Sequence, residues 1–85
     1  MERYNGWANY ATWRVFLEYF DGLEYEYRRA DAEAARACVE GYIEDQSTGW
    51  AQSLALAFVS DVDWGEIAEA LASGAEDNEA EAENV

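Results

Sequence analysis

Apolar side chains recur every third or fourth residue in four segments of this chain, and this helical period constrains the fold more than any other feature. In the first segment the shared face carries Trp13, Phe16, Leu17 and Phe20. Asn9 precedes it, and an asparagine there can accept a hydrogen bond from a free amide of the first turn. Gly22 follows it and suits the left-handed residue that ends many helices. The segment is therefore predicted to be a helix.

The second and third segments show two different helical patterns. Asp31 is a good N-cap for a helix from Ala32 to about residue 45, with Val39 and Tyr42 on its apolar face. Residues 50–59 are apolar nearly all round and include Leu54 and Phe58. A helix without a polar face is expected in the middle of a bundle.

The fourth segment opens with Asp63-Trp64-Gly65-Glu66, an acidic capping box that can satisfy the first free amides of a helix. Trp64, Ile67 and Leu71 form its apolar stripe. Residues 23–29 are ambiguous, because apolar and charged residues alternate there with the period of a strand. No second alternating run exists to pair with it, so a short helix or an extended linker is expected.

These segments predict an all-α protein, a compact four-helix domain over residues 1–74 with one core. The residues expected in that core are Trp13, Phe16, Phe20, Val39, Tyr42, Leu54, Phe58, Trp64, Ile67 and Leu71. Residues 75–85 contain five acids and only Val85 of any bulk. They cannot bury enough surface to offset their ordering entropy and are predicted to be a disordered acidic tail.

Charge excludes several classes of function. The chain has 19 acidic residues against five basic ones, all of them arginines, for a net charge of −14. Nucleic-acid affinity comes mainly from cationic side chains, so direct nucleic-acid binding is not expected, and neither is binding to an anionic membrane. The chain has no apolar run of transmembrane length and no signal-peptide pattern at its start, which favours a cytosolic location.

The residues needed for catalysis are scarce. His and Lys are absent, which removes the usual general bases and Schiff-base nucleophiles. Cys38 occupies a core-facing position and is interpreted as a small apolar filler. Asp61-Val62-Asp63 lacks the rest of a calcium-binding loop. The sequence therefore predicts no enzyme, no metal site and no cofactor.

Two short stretches resemble a known family. They are Asn5-Gly6-Trp7-Ala8-Asn9-Tyr10-Ala11-Thr12-Trp13 and Val62-Asp63-Trp64-Gly65-Glu66-Ile67-Ala68-Glu69. In this order they resemble the signature of small acidic proteins from phages, plasmids and some archaea, a family without an assigned activity. The resemblance implies a mobile-element setting and no particular mechanism. Ala11 departs from the pattern, where an acid is common.

Two hypotheses of function are consistent with the sequence. In the first, the protein is a DNA mimic, an anti-CRISPR or anti-restriction inhibitor that occupies the cationic nucleic-acid-binding groove of a host effector in the host cytosol. Its contact residues are then the acids expected on solvated helix faces: Glu18, Glu33, Glu40, Glu44, Glu66 and Glu69.

The second hypothesis is an accessory protein–protein interaction module whose acidity serves solubility alone. Its contacts are then exposed tyrosines, with Tyr25 and Tyr27 as the candidates, because tyrosine is enriched at interface hot spots. Either a monomer or a homodimer fits the sequence.

Overall fold

The fold is built from helices joined by turns and loops. The computed structural model describes the backbone of residues 3–83 and the side chains of residues 3–74. Helix α1 spans Tyr10–Val15 and continues into a π-helical turn, Phe16–Phe20; α2 spans Ala32–Gln46, α3 spans Gly49–Val59 and α4 spans Trp64–Glu83. Within residues 3–83 no strand is present, and the predicted all-α, four-helix class is confirmed.

Three of the helix starts have the predicted caps. The Asn9 carboxamide oxygen accepts a hydrogen bond from the Thr12 amide at 2.9 Å, and the Asp31 carboxylate accepts one from the Ala34 amide at 2.8 Å. Asp63 does the same for the Glu66 amide at 3.1 Å. Each cap satisfies a backbone donor that the first helical turn leaves free.

A tight turn precedes α1. The amides of Tyr4 and Trp7 each donate to the other residue's carbonyl at 2.8 Å, which forms an isolated antiparallel bridge. Asn5 and Gly6 between them have φ angles of +48° and +86°. Two successive positive φ values are typical of a two-residue hairpin turn, and Asn-Gly is its preferred sequence. The turn folds Trp7 back so that its ring lies 4.8 Å from that of Phe16.

Four residues of the predicted core, Phe20, Val39, Ile67 and Leu71, are buried. Phe16 and Trp64 are half-buried against this core, and Trp13 is half-buried. The inward face of α1 is rotated from the predicted one, because Ala11, Thr12 and Val15 are buried while Leu17 is 43% exposed. The rotation brings the buried Thr12 side chain toward the start of α4, where it is hydrogen-bonded.

The predicted position of α3 in the middle of the bundle is wrong. Among its residues only Val59 is buried, while Leu54 is 51% and Phe58 40% exposed. Tyr42 of α2, also predicted to be in the core, is 54% exposed. A chain of this length has too few helices to surround one of them on every side. Helix α3 packs on α1 and α2 through one face, and its other face remains at the surface.

Residues 21–30 form a run of turns, neither the short helix nor the extended linker that was expected. The amide of Leu23 donates to the carbonyl of Phe20 at 2.8 Å, and that of Ala30 to the carbonyl of Tyr27 at 3.0 Å. Tyr27 packs against the core from this segment, with its ring 5.4 Å from that of Phe20.

The end of α4 extends beyond the predicted domain boundary. Its helical backbone continues past Gly74 to Glu83. Side chains after Gly74 lie outside the described residues, as do residues 84–85 entirely, so the disorder of residues 75–85 stays a prediction. In the part of the chain that the structure describes, no helix is both long enough and apolar enough to cross a membrane.

Candidate functional site

The two stretches that carry the family resemblance meet at the junction of α1 and α4. The Thr12 hydroxyl donates to the Asn9 carboxamide oxygen at 2.7 Å and accepts from the Asp63 amide at 2.9 Å. The Asn9 side-chain carboxamide nitrogen donates to the Asp61 carbonyl at 2.8 Å. These bonds join the cap of α1 to the cap of α4, so much of the signature is explained by folding alone.

Glu66, a predicted partner-binding acid, belongs to the same junction. Its carboxylate accepts a hydrogen bond from the Ala8 amide at 2.7 Å and forms an ion pair with the Arg3 guanidinium. Only 21% of its side chain is exposed. The Glu66 carboxylate is thus occupied by its own chain and contributes little to an external surface.

Glu69 lies one helical turn further along α4. It lines a shallow cleft of about 290 Å³ together with Gly6, Trp7 and Ser73. The cleft is open to solvent on a broad side, and its size is at the lower limit for a small-molecule pocket. Glu69 itself is exposed and can contact a partner.

The other acids differ in how their own chain uses them. Glu18 pairs with Arg14 at 3.1 Å and Glu40 with Arg36 at 2.9 Å, each across one helical turn. Glu33 and Glu44 are exposed and are not ion-paired within residues 3–74. Intervals of seven and four residues place Glu33, Glu40 and Glu44 along one stripe of α2. We call these three residues the α2 acidic row.

The basic residues are largely occupied by their own chain. Besides the three arginines in ion pairs, Arg28 donates to the Tyr25 carbonyl at 2.7 Å and stacks 3.8 Å above the centre of the Tyr25 ring. These contacts hold the cationic groups close to the surface, beside carboxylates or an aromatic ring. With a net charge of −14, the field that a partner meets is therefore negative.

The two predicted contact tyrosines do not form a joint surface. Tyr25 is 46% exposed, with Arg28 covering one face of its ring. Tyr27 is half-buried and packs between Tyr19 and Phe20, with ring centres 6.2 Å and 5.4 Å away. Tyr27 is thus mainly a core residue, and only Tyr25 is open to a partner.

A different apolar surface, which was not predicted from the sequence, is exposed along α3. We call it the α3 surface and define it by Trp50, Leu54, Phe58, Tyr10 and Tyr4, which are 79%, 51%, 40%, 42% and 40% exposed. The first three lie four residues apart and so form one ridge on the helix. The ring of Tyr10 lies 6.2 Å from Phe58 and 5.1 Å from Tyr4, which extends the ridge onto α1. The four-residue interval in an uncharged segment was the signal that could have revealed it.

Two features of the described residues bear on catalysis. No group of three or more His, Cys, Asp or Glu side chains among them is arranged to hold a metal ion. Burial, with a smaller contribution from the neighbouring Tyr27 hydroxyl, raises the pKa of Tyr19 to about 12. A phenol with so high a pKa stays protonated at neutral pH and is a poor general base.

Comparison with known proteins gives no assignment. No protein-family model matches the chain, and no curated protein or solved structure shows significant similarity to it. The family resemblance of the two signature stretches therefore stays a prediction.

Proposed function

We propose that this protein is a non-enzymatic binding protein that attaches through its acidic surface to a cationic surface of a protein partner. The observation that carries the proposal is the α2 acidic row, in which Glu33 and Glu44 are exposed and not ion-paired within the described residues. Arg36 is on the same helix as the row, and its guanidinium is bound to Glu40. The row therefore presents mainly carboxylates outward.

The physical basis is long-range attraction followed by local pairing. A strongly negative domain is steered toward a positive surface, and complementary charges speed association and fix the orientation of the complex. Each exposed carboxylate contributes only about 0.2–1 kcal/mol, so a row of several is needed for a measurable effect. A cationic groove that normally holds nucleic-acid phosphates is the kind of surface that such a row fits.

The more specific form of the proposal is an inhibitor of a host nucleic-acid-binding effector, of the anti-CRISPR or anti-restriction kind. Three observations support it: the net charge of −14, the small size of the domain and the resemblance of its two signature stretches to mobile-element proteins. Inhibition requires that the protein and the nucleic acid compete for one groove.

The test is capture of partners from a lysate of cells that carry this gene, followed by competition with duplex DNA. We expect the immobilised protein to retain a nucleic-acid-binding protein, and added DNA to displace it. The triple variant Glu33→Gln, Glu40→Gln and Glu44→Gln should weaken binding about tenfold without changing the fold.

The matched control removes three charges elsewhere. Asp21→Asn, Glu26→Gln and Asp61→Asn together change exposed acids outside the α2 acidic row, and they remove the same number of negative charges as the α2 triple variant. This control should bind more tightly than the α2 triple variant. Equal binding by the two triples would show that the row has no specific role. A captured partner that DNA leaves in place would exclude the inhibitor form of the proposal.

A further inference from the structure

The α3 surface is uncharged in an otherwise highly charged protein. None of the residues of α3, Gly49–Val59, is acidic or basic, whereas the whole chain has a net charge of −14. Trp50 alone is 79% exposed. Contiguous exposed apolar residues of this kind mark interaction sites in soluble proteins. The acidic-surface proposal leaves them without a role.

The inner side of α3 explains why this face stays uncovered. Val59 packs in the core, and the Gln52 side chain donates to the Ser47 carbonyl at 2.8 Å, which ties the start of α3 to the end of α2. These contacts fix which side of the helix faces the protein. Trp50, Leu54 and Phe58 then lie on the opposite, outer side.

We propose that the occupant of the α3 surface is a second copy of this chain, bound in a symmetric dimer. Side chains four residues apart form a ridge, and two such ridges interdigitate when helices cross at about −50°. A two-fold axis near Leu54 brings Trp50 of one copy toward Phe58 of the partner subunit. The same ridge thus serves both sides of the contact, as a symmetric interface requires.

Charge favours a second copy over a cationic partner at this surface. Helix α3 has no carboxylate with which the basic groups of another protein could pair. The contact between two copies joins one uncharged helix to another and leaves both α2 acidic rows outside it. Repulsion between the two chains opposes the dimer, but it acts through solvent and is screened by salt.

The exposed area suits a dimer that exchanges with monomer. At 150–250 Å² for each aromatic side chain, the exposed fractions of the four aromatic residues amount to about 300–500 Å² per copy, with Leu54 in addition. Standard interfaces bury about 800 Å² per partner, and weaker ones bury less. The dimer is therefore expected to dissociate on dilution.

Sedimentation equilibrium over a concentration series tests the proposal. The average mass of the wild-type protein should rise from 9.6 kDa toward twice that value, and should do so at lower protein concentration when salt is added. Leu54→Glu places two like charges near the two-fold axis and should hold the protein at the monomer mass. Leu54 is half exposed, so the variant should keep the wild-type circular dichroism spectrum.

The matched control is Tyr25→Glu, which adds the same charge at a side chain of similar exposure, 46%, outside the α3 surface. It should dimerise like the wild type. A wild-type protein that stays monomeric at every concentration and salt level would overturn the proposal. So would a dimer that Leu54→Glu leaves intact, or one that salt weakens. The acidic-surface proposal predicts the opposite salt response at a different surface, so the two can fail independently.

Discussion

Removing the Thr12 hydroxyl tests the hydrogen bonds that join α1 to α4. The Thr12 side chain is fully buried, and its hydroxyl both donates to Asn9 and accepts from the amide of Asp63. Thr12→Val keeps the shape of the side chain and deletes both bonds. The Asp63 amide then has no acceptor in a site that valine fills.

The expected cost follows from the groups left without partners. A buried donor that loses its acceptor costs about 1–3 kcal/mol. The Asn9 carboxamide oxygen loses one of its two donors but keeps the amide of Thr12. Its contribution to the cost in stability is therefore smaller than that of the Asp63 amide. We expect Thr12→Val to lower the free energy of unfolding by about 2–3 kcal/mol. In a domain of this size that corresponds to about 10–20 °C in Tm.

Urea and thermal unfolding, followed by circular dichroism, measure this cost against a matched variant. Thr12→Ser keeps the hydroxyl and loses one methyl group, which should lower the free energy of unfolding by about 1 kcal/mol. Thr12→Val should therefore be the less stable of the two. If valine is as stable as serine at this position, the hydroxyl does not join the two caps and the explanation of the signature is wrong.

Three further predictions concern other parts of the molecule. Gly74→Ala should destabilise the protein by about 1–3 kcal/mol in urea unfolding, because an added Cβ would lie 2.6 Å from Cγ and 2.9 Å from Cβ of Glu24. Glu24→Ala removes the Cγ contact and keeps the Cβ, so it should relieve part of this loss. The pKa of Tyr19 is about 12 in the folded protein and near 10 in the unfolded chain. The contribution of the protonated Tyr19 phenol to stability is therefore complete below pH 10 and is lost as pH rises to 12. The free energy of unfolding, measured from pH 10 to pH 12, should decline, and the decline should be smaller in Tyr19→Phe. Phe20 is fully buried, so Phe20→Ala should lower the free energy of unfolding by about 3–5 kcal/mol in the same assay. Trp50 is 79% exposed, so Trp50→Ala should leave stability nearly unchanged.

The features that the sequence predicted well are local. A cap depends on residues within one turn of the helix start, so Asn9, Asp31 and Asp63 could be identified from their immediate neighbours. The turn at Asn5-Gly6 is local too, and the dipeptide alone is enough to indicate it, since it tolerates two successive positive φ angles.

The features that the sequence did not reveal depend on distant parts of the chain. Leu54 and Phe58 are as apolar as core residues, and only the position of α1 and α2 decides which side of α3 is covered. Glu66 is predicted to face solvent by its helical position, but Arg3 and Ala8 approach it across about 60 residues of sequence. The α3 surface and the internal contacts of the Glu66 carboxylate could therefore be identified only from the tertiary structure.

The central claim, that carboxylates of α2 bind a cationic surface, is tested most directly by the salt dependence of affinity. The dissociation constant for the captured partner would be measured by titration calorimetry at several salt concentrations, for the wild type and the α2 triple variant. We predict that wild-type affinity falls steeply as salt rises, and that the variant binds more weakly with a shallower dependence. An affinity that is independent of salt and equal in the two proteins would contradict the claim.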